Sequence, residues 1–262
     1  AIEVATPLGV SAEAQVGSSV SADKMPVIDW VEGELLSSRF LEETREEIAE
    51  VISTNNFLKK TLGNIPGIEE FDIDNVRSIS VEKINKKVLQ NEVFKITAID
   101  INQRAVSFVL KVPNPKLSGT EDSADILFDL NNRVPDFVPM LFAVNKNKRA
   151  WSEEYIEGKN LEELRGELES KESELRVIEE KVVETYFSFC QKTKGGIRDP
   201  HAGNFVVFKD NDGLQVKIID TGMYRGTVRP FNEWIGSFAR IGGFELETIF
   251  RGILKAEDGR KY

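Results

Sequence analysis

The sequence contains few of the residues that build covalently linked or metal-bound scaffolds. Its 262 residues include one cysteine, Cys190, and one histidine, His201. A single cysteine excludes an intramolecular disulfide framework and a cysteine-rich zinc site. No apolar run approaches the roughly 18 residues that a membrane-spanning helix needs. Lys and Arg number 34 against 44 Asp and Glu, so the net charge of -10 argues against a broadly basic nucleic-acid-binding surface.

The rest of the composition is that of a globular protein, with 40% hydrophobic and 30% charged residues. The chain is long enough to bury a sizeable core. Residues 1–25 are rich in Ala, Ser, Val and Gly and are predicted to be a flexible lead-in. They lack a basic region followed by a hydrophobic stretch, so no intact secretory signal is visible. We therefore expect a cytoplasmic protein, with a secreted effector as the alternative.

Hydrophobic periodicity predicts an N-terminal helix followed by a block of strands. Apolar residues three and four positions apart predict a helix from Val31 to about Leu62, within an N-terminal helical extension over 26–70. From Val76 to Val112, β-branched and aromatic residues in partial alternation predict strands. A short amphipathic segment and two more strand-like pieces follow, at 123–131, 138–145 and 150–156.

The second half of the chain is predicted to be mainly helical. A helical region covers 160–192, with a break near Lys171, and it contains too few heptads to favour a coiled coil. Two short strands, NFVVFK and LQVKIID, flank the turn DNDG and predict a hairpin. A last helix is predicted from about Phe231 to Leu254. Clustered strands followed by clustered helices indicate an α+β fold with two lobes.

The stretch with most chemical information is IRDPHAGNFVVFKDNDGLQVKIIDTG, residues 197–222. Asp199 is followed five positions later by Asn204, and Asp220 begins an Asp-Thr-Gly tripeptide. Phosphoryl transfer from ATP needs one carboxylate to orient the attacking hydroxyl, and a carboxylate and an amide to hold Mg²⁺ on the phosphates. A loop that leads into a hairpin can bring these three side chains together.

This pattern resembles the protein-kinase-like superfamily. Asp199 and Asn204 match the catalytic-loop signature, with Ile197 in place of its usual histidine, and Asp220 begins a match to Asp-Phe-Gly. The string DPHAGN is closer to the atypical branches, namely aminoglycoside and choline kinases and the ABC1/UbiB-type kinases. The resemblance implies a small β-rich N-lobe at 71–157 and a reduced helical C-lobe at 158–262.

The resemblance also assigns roles to individual residues. It implies that ATP and Mg²⁺ are the cofactors, with Asn204 and Asp220 as metal ligands and Asp199 as the catalytic group that takes the proton of the acceptor hydroxyl. Lys111, in FVLKV, would be catalytic and would grip the nucleotide phosphates. Its acidic partner is placed at Asp122, with Glu121 and Asp125 as competitors. EEYIEGKNL resembles the hinge that binds adenine through its backbone, which implicates Glu154 and Ile156.

The sequence also departs from the pattern. The segment EKINKKVLQN contains no glycine, so a glycine-rich loop over the phosphates is missing, and only 42 residues follow Asp220 (262 − 220 = 42) without an Ala-Pro-Glu motif. The partners expected are a nucleotide and a hydroxyl-bearing protein or small molecule, with no nucleic acid and no membrane span. A catalytically inactive pseudokinase that acts as an interaction module and a kinase-fold AMP transferase remain the alternatives.

Unrelated functions explain fewer of these residues. A catalytic triad would need His201 with Ser188 or Cys190, and Cys190 lies in an apolar helical stretch that is typical of a core residue. An aspartic-protease half-site would use the Asp-Thr-Gly tripeptide. It would leave Lys111, Asp199 and Asn204 without a role.

Overall fold

The computed structural model of the chain describes residues 27–31, 46, 48–53, 56–84, 91–113, 123–147, 149–226, 236–238 and 240–258. Its largest element is a six-stranded sheet with the strand order β1-β2-β3-β4-β6-β5. Among the described strands of this sheet, β1 and β2 are parallel neighbours and the other neighbours are antiparallel. The strands are β1 (Val27–Val31), β2 (Val76–Lys83), β3 (Asn91–Asp100), β4 (Ala105–Pro113), β5 (Leu141–Asn145) and β6 (Ala150–Glu154).

The N-terminal segment differs from the predicted continuous helix. Residues 27–31 form strand β1 at the sheet edge, so the predicted helical extension over 26–70 begins with a strand. Residues 46, 48–53 and helix α1 (Phe57–Gly63) are helical, while 32–45 lie outside the described residues. Asn56 separates the two helical pieces with a left-handed φ of 55°, a conformation that a continuous α-helix cannot contain.

Helix α1 packs on the sheet. Burial alternates along β3, which is the pattern of a strand with one face toward a core. Thr61 on α1 exchanges a buried side-chain hydrogen bond of 2.7 Å with Ser152 on β6. One hydrophobic core therefore joins the N-terminal helices to the sheet, and its large members are Ile48, Phe57, Leu62, Phe71, Ile79, Phe94, Ile96, Phe108, Leu110 and Phe142.

The helices that follow β4 occur in the predicted order. Helix α2 (Ser123–Arg133) lies between β4 and β5, and α3 (Leu161–Glu167) and α4 (Glu172–Thr193) are separated at the predicted break. Asn160 caps the N-terminus of α3 with a capping box. The Asn160 side chain accepts a hydrogen bond from the Glu163 backbone N–H, and the Glu163 side chain accepts one from the Asn160 backbone N–H.

The last predicted helix, from about Phe231 to Leu254, is not continuous. Residues 227–235 lie outside the described residues, 236–238 and 240–241 are helical, and α5 (Leu246–Asp258) begins after a break. Gly242 and Gly243 form that break with φ of 77° and 72°, a left-handed conformation that favours glycine and ends a helix.

The second lobe also contains short strands around the predicted hairpin. β9 (Phe205–Asp210) and β10 (Gly213–Ile218) form the hairpin, and β7 (Lys159–Asn160) pairs with β9. β8 (Gly196–Ile197) pairs with β11 (Tyr224–Arg225). A second core surrounds them, and its large members are Leu127, Leu130, Trp151, Val182, Tyr186, Phe187, Phe189, Phe205, Ile218, Phe238, Ile249 and Ile253.

The architecture is an α+β fold with a β-rich N-terminal lobe and a helical C-terminal lobe, as the sequence predicted. Within the described parts of the chain, no helix is long and apolar enough to cross a membrane.

Candidate active site

The loop between α4 and β9 carries two of the predicted site residues. Arg198 donates its backbone N–H to the Met223 carbonyl at 3.1 Å, which ties the loop to the segment that follows Asp220. A 3-10 turn over Ala202–Asn204 ends the loop, and the Asn204 side-chain amide donates to the backbone carbonyl of Asp199 at 3.1 Å. Asn204 is buried and Asp199 is exposed, so the loop holds the amide rigidly and presents the carboxylate to solvent.

Strand pairing places Lys111 on the face of the sheet that carries Trp151. Lys111 on β4 lies opposite Trp151 on β6, and Val109 lies opposite Glu153. Alternate residues of a strand share a face, so Lys111 and Glu153 are diagonal neighbours on the same face. The Lys111 Nζ lies 2.8 Å from the Glu153 Oε1.

The backbone of Ile219 connects Lys111 to the loop that carries Asp199 and Asn204. The Lys111 Nζ donates to the Ile219 carbonyl at 2.6 Å, and the Ile219 N–H donates to the Asn204 carbonyl at 3.0 Å. Asp220 follows Ile219 directly in the chain. Together with the Asn204–Asp199 bond, these contacts link four of the predicted site residues, Lys111, Asp220, Asn204 and Asp199, through adjoining groups.

The predicted metal ligands have oxygen atoms available. The carboxylate of half-buried Asp220 has no ion pair or hydrogen bond with the described residues, and the Asn204 side-chain oxygen accepts no hydrogen bond from them. Mg²⁺ takes few protein ligands and several phosphate or water oxygens, so one carboxylate and one amide fit it. No cluster of three or more His, Cys, Asp or Glu side chains suited to a metal ion occurs in the described part of the chain.

The predicted hinge follows β6. The Glu154 side chain accepts hydrogen bonds from Lys217 on β10 and from the Met140 backbone N–H. The Glu154 backbone N–H donates to the Met140 carbonyl at 2.8 Å. Two residues later, the backbone N–H and C=O of Ile156 make no hydrogen bond with any described residue. Backbone groups of this kind at Ile156 suit the edge of an adenine ring.

Helix α2 does not supply the carboxylate that contacts Lys111. Glu121 and Asp122, the position chosen from the sequence, lie outside the described residues. Asp125 is described, and it is exposed. The acidic group that contacts Lys111 in the structure is Glu153, which the sequence analysis had included only as the first residue of the hinge-like string EEYIEGKNL.

The glycine of Asp-Thr-Gly packs against the first residue of α2. A Cβ atom at Gly222 would lie 2.7 Å from the Ser123 Oγ, closer than such atoms normally approach. Glycine at this position therefore lets the segment that carries Asp220 lie directly beside the start of α2.

Helix α4 supports the loop that carries Asp199 and Asn204. Tyr186 is fully buried, and its hydroxyl donates to the Ile197 carbonyl at 3.4 Å, two residues before Asp199. Burial raises the pKa of Tyr186 well above its usual value, so the hydroxyl stays protonated as a donor.

At the end of α4, the Thr193 carbonyl accepts from two elements. The Arg133 guanidinium donates to it at 2.8 Å and the Tyr224 hydroxyl at 3.1 Å. Carbonyls in the last turn of a helix have no partner within the helix, so these side chains cap α4. The cap connects α2, through Arg133, with the segment after Asp220, through Tyr224.

The segment in which a glycine-rich loop was sought is described only in part. The segment that lacks glycine lies between β2 and β3, and residues 85–90 within it lie outside the described residues. On this face of the described sheet, Lys111 and Lys95 are positively charged side chains, since Lys95 lies opposite Val109 and Val109 shares the face of Lys111.

The lobes, the hairpin and the order of these residues are those of a protein-kinase-like fold. Residues 132–238 match the family model of the ABC1 atypical kinase-like domain, which covers less than half of the chain. The match confirms the resemblance to the ABC1/UbiB-type atypical branch. No curated protein matches the chain. Domains of this kind generally bind ATP with Mg²⁺.

Sequence reasoning missed the contacts of two side chains, Trp151 and Glu153, and of the Ile219 backbone. Trp151 and Glu153 alternate with Ser152, so the sequence does indicate that they share one face of a strand. The sequence does not give the register between β4 and β6, and this register is what places Lys111 on the same face as Trp151 and Glu153. Ile219 makes its contacts through backbone atoms, which every residue type has, so the sequence does not indicate them.

Proposed function

We propose that the protein is an atypical kinase that transfers the γ-phosphate of ATP, with Mg²⁺, to a hydroxyl group of a protein or small molecule. The observation that carries the proposal is the connection of Lys111, Asp220, Asn204 and Asp199 through the backbone of Ile219 and the side-chain amide of Asn204. Phosphoryl transfer depends mainly on positioning and on charge stabilisation, and these contacts hold the required groups in register.

Each residue has a role in the proposed reaction. Mg²⁺ held by Asp220 and Asn204 would neutralise charge on the phosphates. Lys111 donates a hydrogen bond to a phosphate oxygen, and the Ile156 backbone binds the adenine edge. Asp199, exposed in its loop, orients the acceptor hydroxyl and takes its proton as the new O–P bond forms and the bond from the γ-phosphorus to the bridging oxygen breaks, which releases ADP.

Calorimetric titration of ATP with and without Mg²⁺ into the full chain tests the nucleotide site. We expect Mg²⁺-dependent binding that Asp220→Ala abolishes. Asp212→Ala is the matched control, because Asp212 is an exposed aspartate in the turn of the same hairpin, at the end away from Asp220. Absence of binding by the wild-type chain would contradict the proposal and favour a pseudokinase.

Transfer is tested separately with ATP labelled in the γ-phosphate, followed by mass analysis of the modified acceptor. Addition of a phosphate group supports the proposed reaction. Addition of AMP would contradict it while leaving the nucleotide site intact.

A further inference from the structure

We propose that Glu153, held by Trp151, is the positioning residue for Lys111, so that the lysine is set from strand β6 of its own sheet and not from helix α2. The inference deepens the proposed function and rests on it. Glu153 touches neither the phosphates nor the acceptor, and it acts only through Lys111.

The carboxylate of Glu153 is fully engaged. Its Oε1 lies 2.8 Å from the Lys111 Nζ, and its Oε2 accepts from the Trp151 indole N–H at 2.9 Å. The side chain is 3% exposed, so it is removed from water. A buried carboxylate is stable only when it is paired and hydrogen-bonded, and here each oxygen has one donor.

The lysine keeps a donor for the nucleotide. An ammonium group has three N–H donors. In the described part of the chain, Lys111 uses two of them, one toward Glu153 and one toward the Ile219 carbonyl. The third is available to a phosphate oxygen. The two contacts restrict the rotamers of a side chain that is otherwise flexible, which lowers the entropy lost when a phosphate binds.

Because the carboxylate comes from strand β6, the position of the Lys111 side chain depends on the pairing of β4 with β6. β4 and β6 are adjacent antiparallel strands, so Lys111 and Glu153 are fixed relative to each other by a continuous backbone ladder. Trp151 lies two residues before Glu153 on the same strand and packs into the core of the C-terminal lobe. The carboxylate that contacts Lys111 is therefore supplied from within the sheet itself.

A double-mutant cycle on Mg-ATP affinity tests the inference. We expect Glu153→Gln to weaken binding at least about tenfold, the effect of a moderate coupling between contacting charged residues. In a Lys111→Met background the same change should have almost no effect, because a positioning residue acts only through the residue it positions. A purely structural role would weaken binding in both backgrounds.

Two further variants keep the result interpretable. Trp151→Phe retains the Glu153–Lys111 pair but removes the indole donor, and we expect a loss of affinity of about a few fold, smaller than for Glu153→Gln. Glu169→Gln is the matched control, because Glu169 is an exposed glutamate in the α3–α4 connection. The same cycle measured as melting temperature without nucleotide should also be non-additive.

The outcomes separate the two proposals. Wild-type affinity in Glu153→Gln, or coupling of Lys111 to Asp122 in place of Glu153, would overturn the inference and leave the proposed function standing. Failure of the wild-type chain to bind Mg-ATP would contradict both.

Discussion

The contact between α4 and α5 allows a stability prediction with a defined magnitude. A Cβ atom on Gly252 would lie 2.6 Å from the Val183 Cγ1 and 2.8 Å from the Glu180 carbonyl oxygen. Both distances are too short, and a backbone atom is involved, so the helices must separate to accept an alanine. Lys255 and Glu180 pair across the same contact at 2.6 Å, which opposes that separation.

Two opposing effects determine the result for Gly252→Ala. Alanine is favoured over glycine inside a helix by about 1 kcal/mol. Overpacking a tight contact costs about 1–3 kcal/mol. Gly166→Ala is the matched control, since Gly166 lies in helix α3 with no atom near the position of its Cβ, and it should gain up to about 1 kcal/mol.

We therefore expect the free energies of unfolding of the two variants to differ by about 1–3 kcal/mol, with Gly252→Ala the less stable. At about 2–4 °C per kcal/mol for a domain of this size, the difference is measurable by thermal unfolding, and urea denaturation gives an independent value. If Gly252→Ala were as stabilising as Gly166→Ala, the close approach of α4 and α5 would be refuted.

Three other changes have defined outcomes. Asp199→Asn should lower the rate of phosphoryl transfer by about 10²- to 10⁴-fold while Mg-ATP affinity stays unchanged, because its side chain is placed on the acceptor hydroxyl; an equal loss of affinity would contradict that role. Burial raises the pKa of Asp100 and the backbone N–H groups of Asp72, Arg104 and Asn102 lower it, with the net result below 3.8. A carboxylate whose pKa is lower in the folded than in the unfolded chain stabilises the fold at pH values above its unfolded pKa, and this stabilisation is lost as the pH falls through its folded pKa. Asp100→Asn should therefore lower the free energy of unfolding at neutral pH, and the difference from wild type should shrink below about pH 4 in urea melts. Asn160→Ala removes the cap of α3 and should cost about 1 kcal/mol of unfolding free energy in the same melts, and an unchanged midpoint would argue against the capping box.

The elements predicted best from the sequence are those with local signals. The strands of the N-terminal lobe follow from β-branched and aromatic residues, and the β9–β10 hairpin follows from its turn. The break between α3 and α4 was also predicted, near Lys171. These features depend on neighbouring residues in the chain, which the sequence displays directly.

The elements predicted wrongly depend on backbone conformation or on distant partners. The strand at 27–31 pairs with β2 about fifty residues later, and no local pattern specifies that partner. The left-handed residue Asn56 and the glycine pair at 242–243 interrupt helices whose apolar spacing continues across them. Glu153 was missed for the same reason, since its contact with Lys111 depends on strand register.

The shared cap at the end of α4 joins three elements at one oxygen atom, the Thr193 carbonyl oxygen. These elements are α4 itself, α2 and the segment after Asp220. Arg133 and Tyr224 reach the Thr193 carbonyl from opposite parts of the chain. If the segment after Asp220 shifted outward, Tyr224 would leave that oxygen, and Arg133 alone would remain to cap the helix. A displacement of the segment beside the proposed metal ligand would therefore leave the end of α4 with a single side-chain cap, supplied by α2.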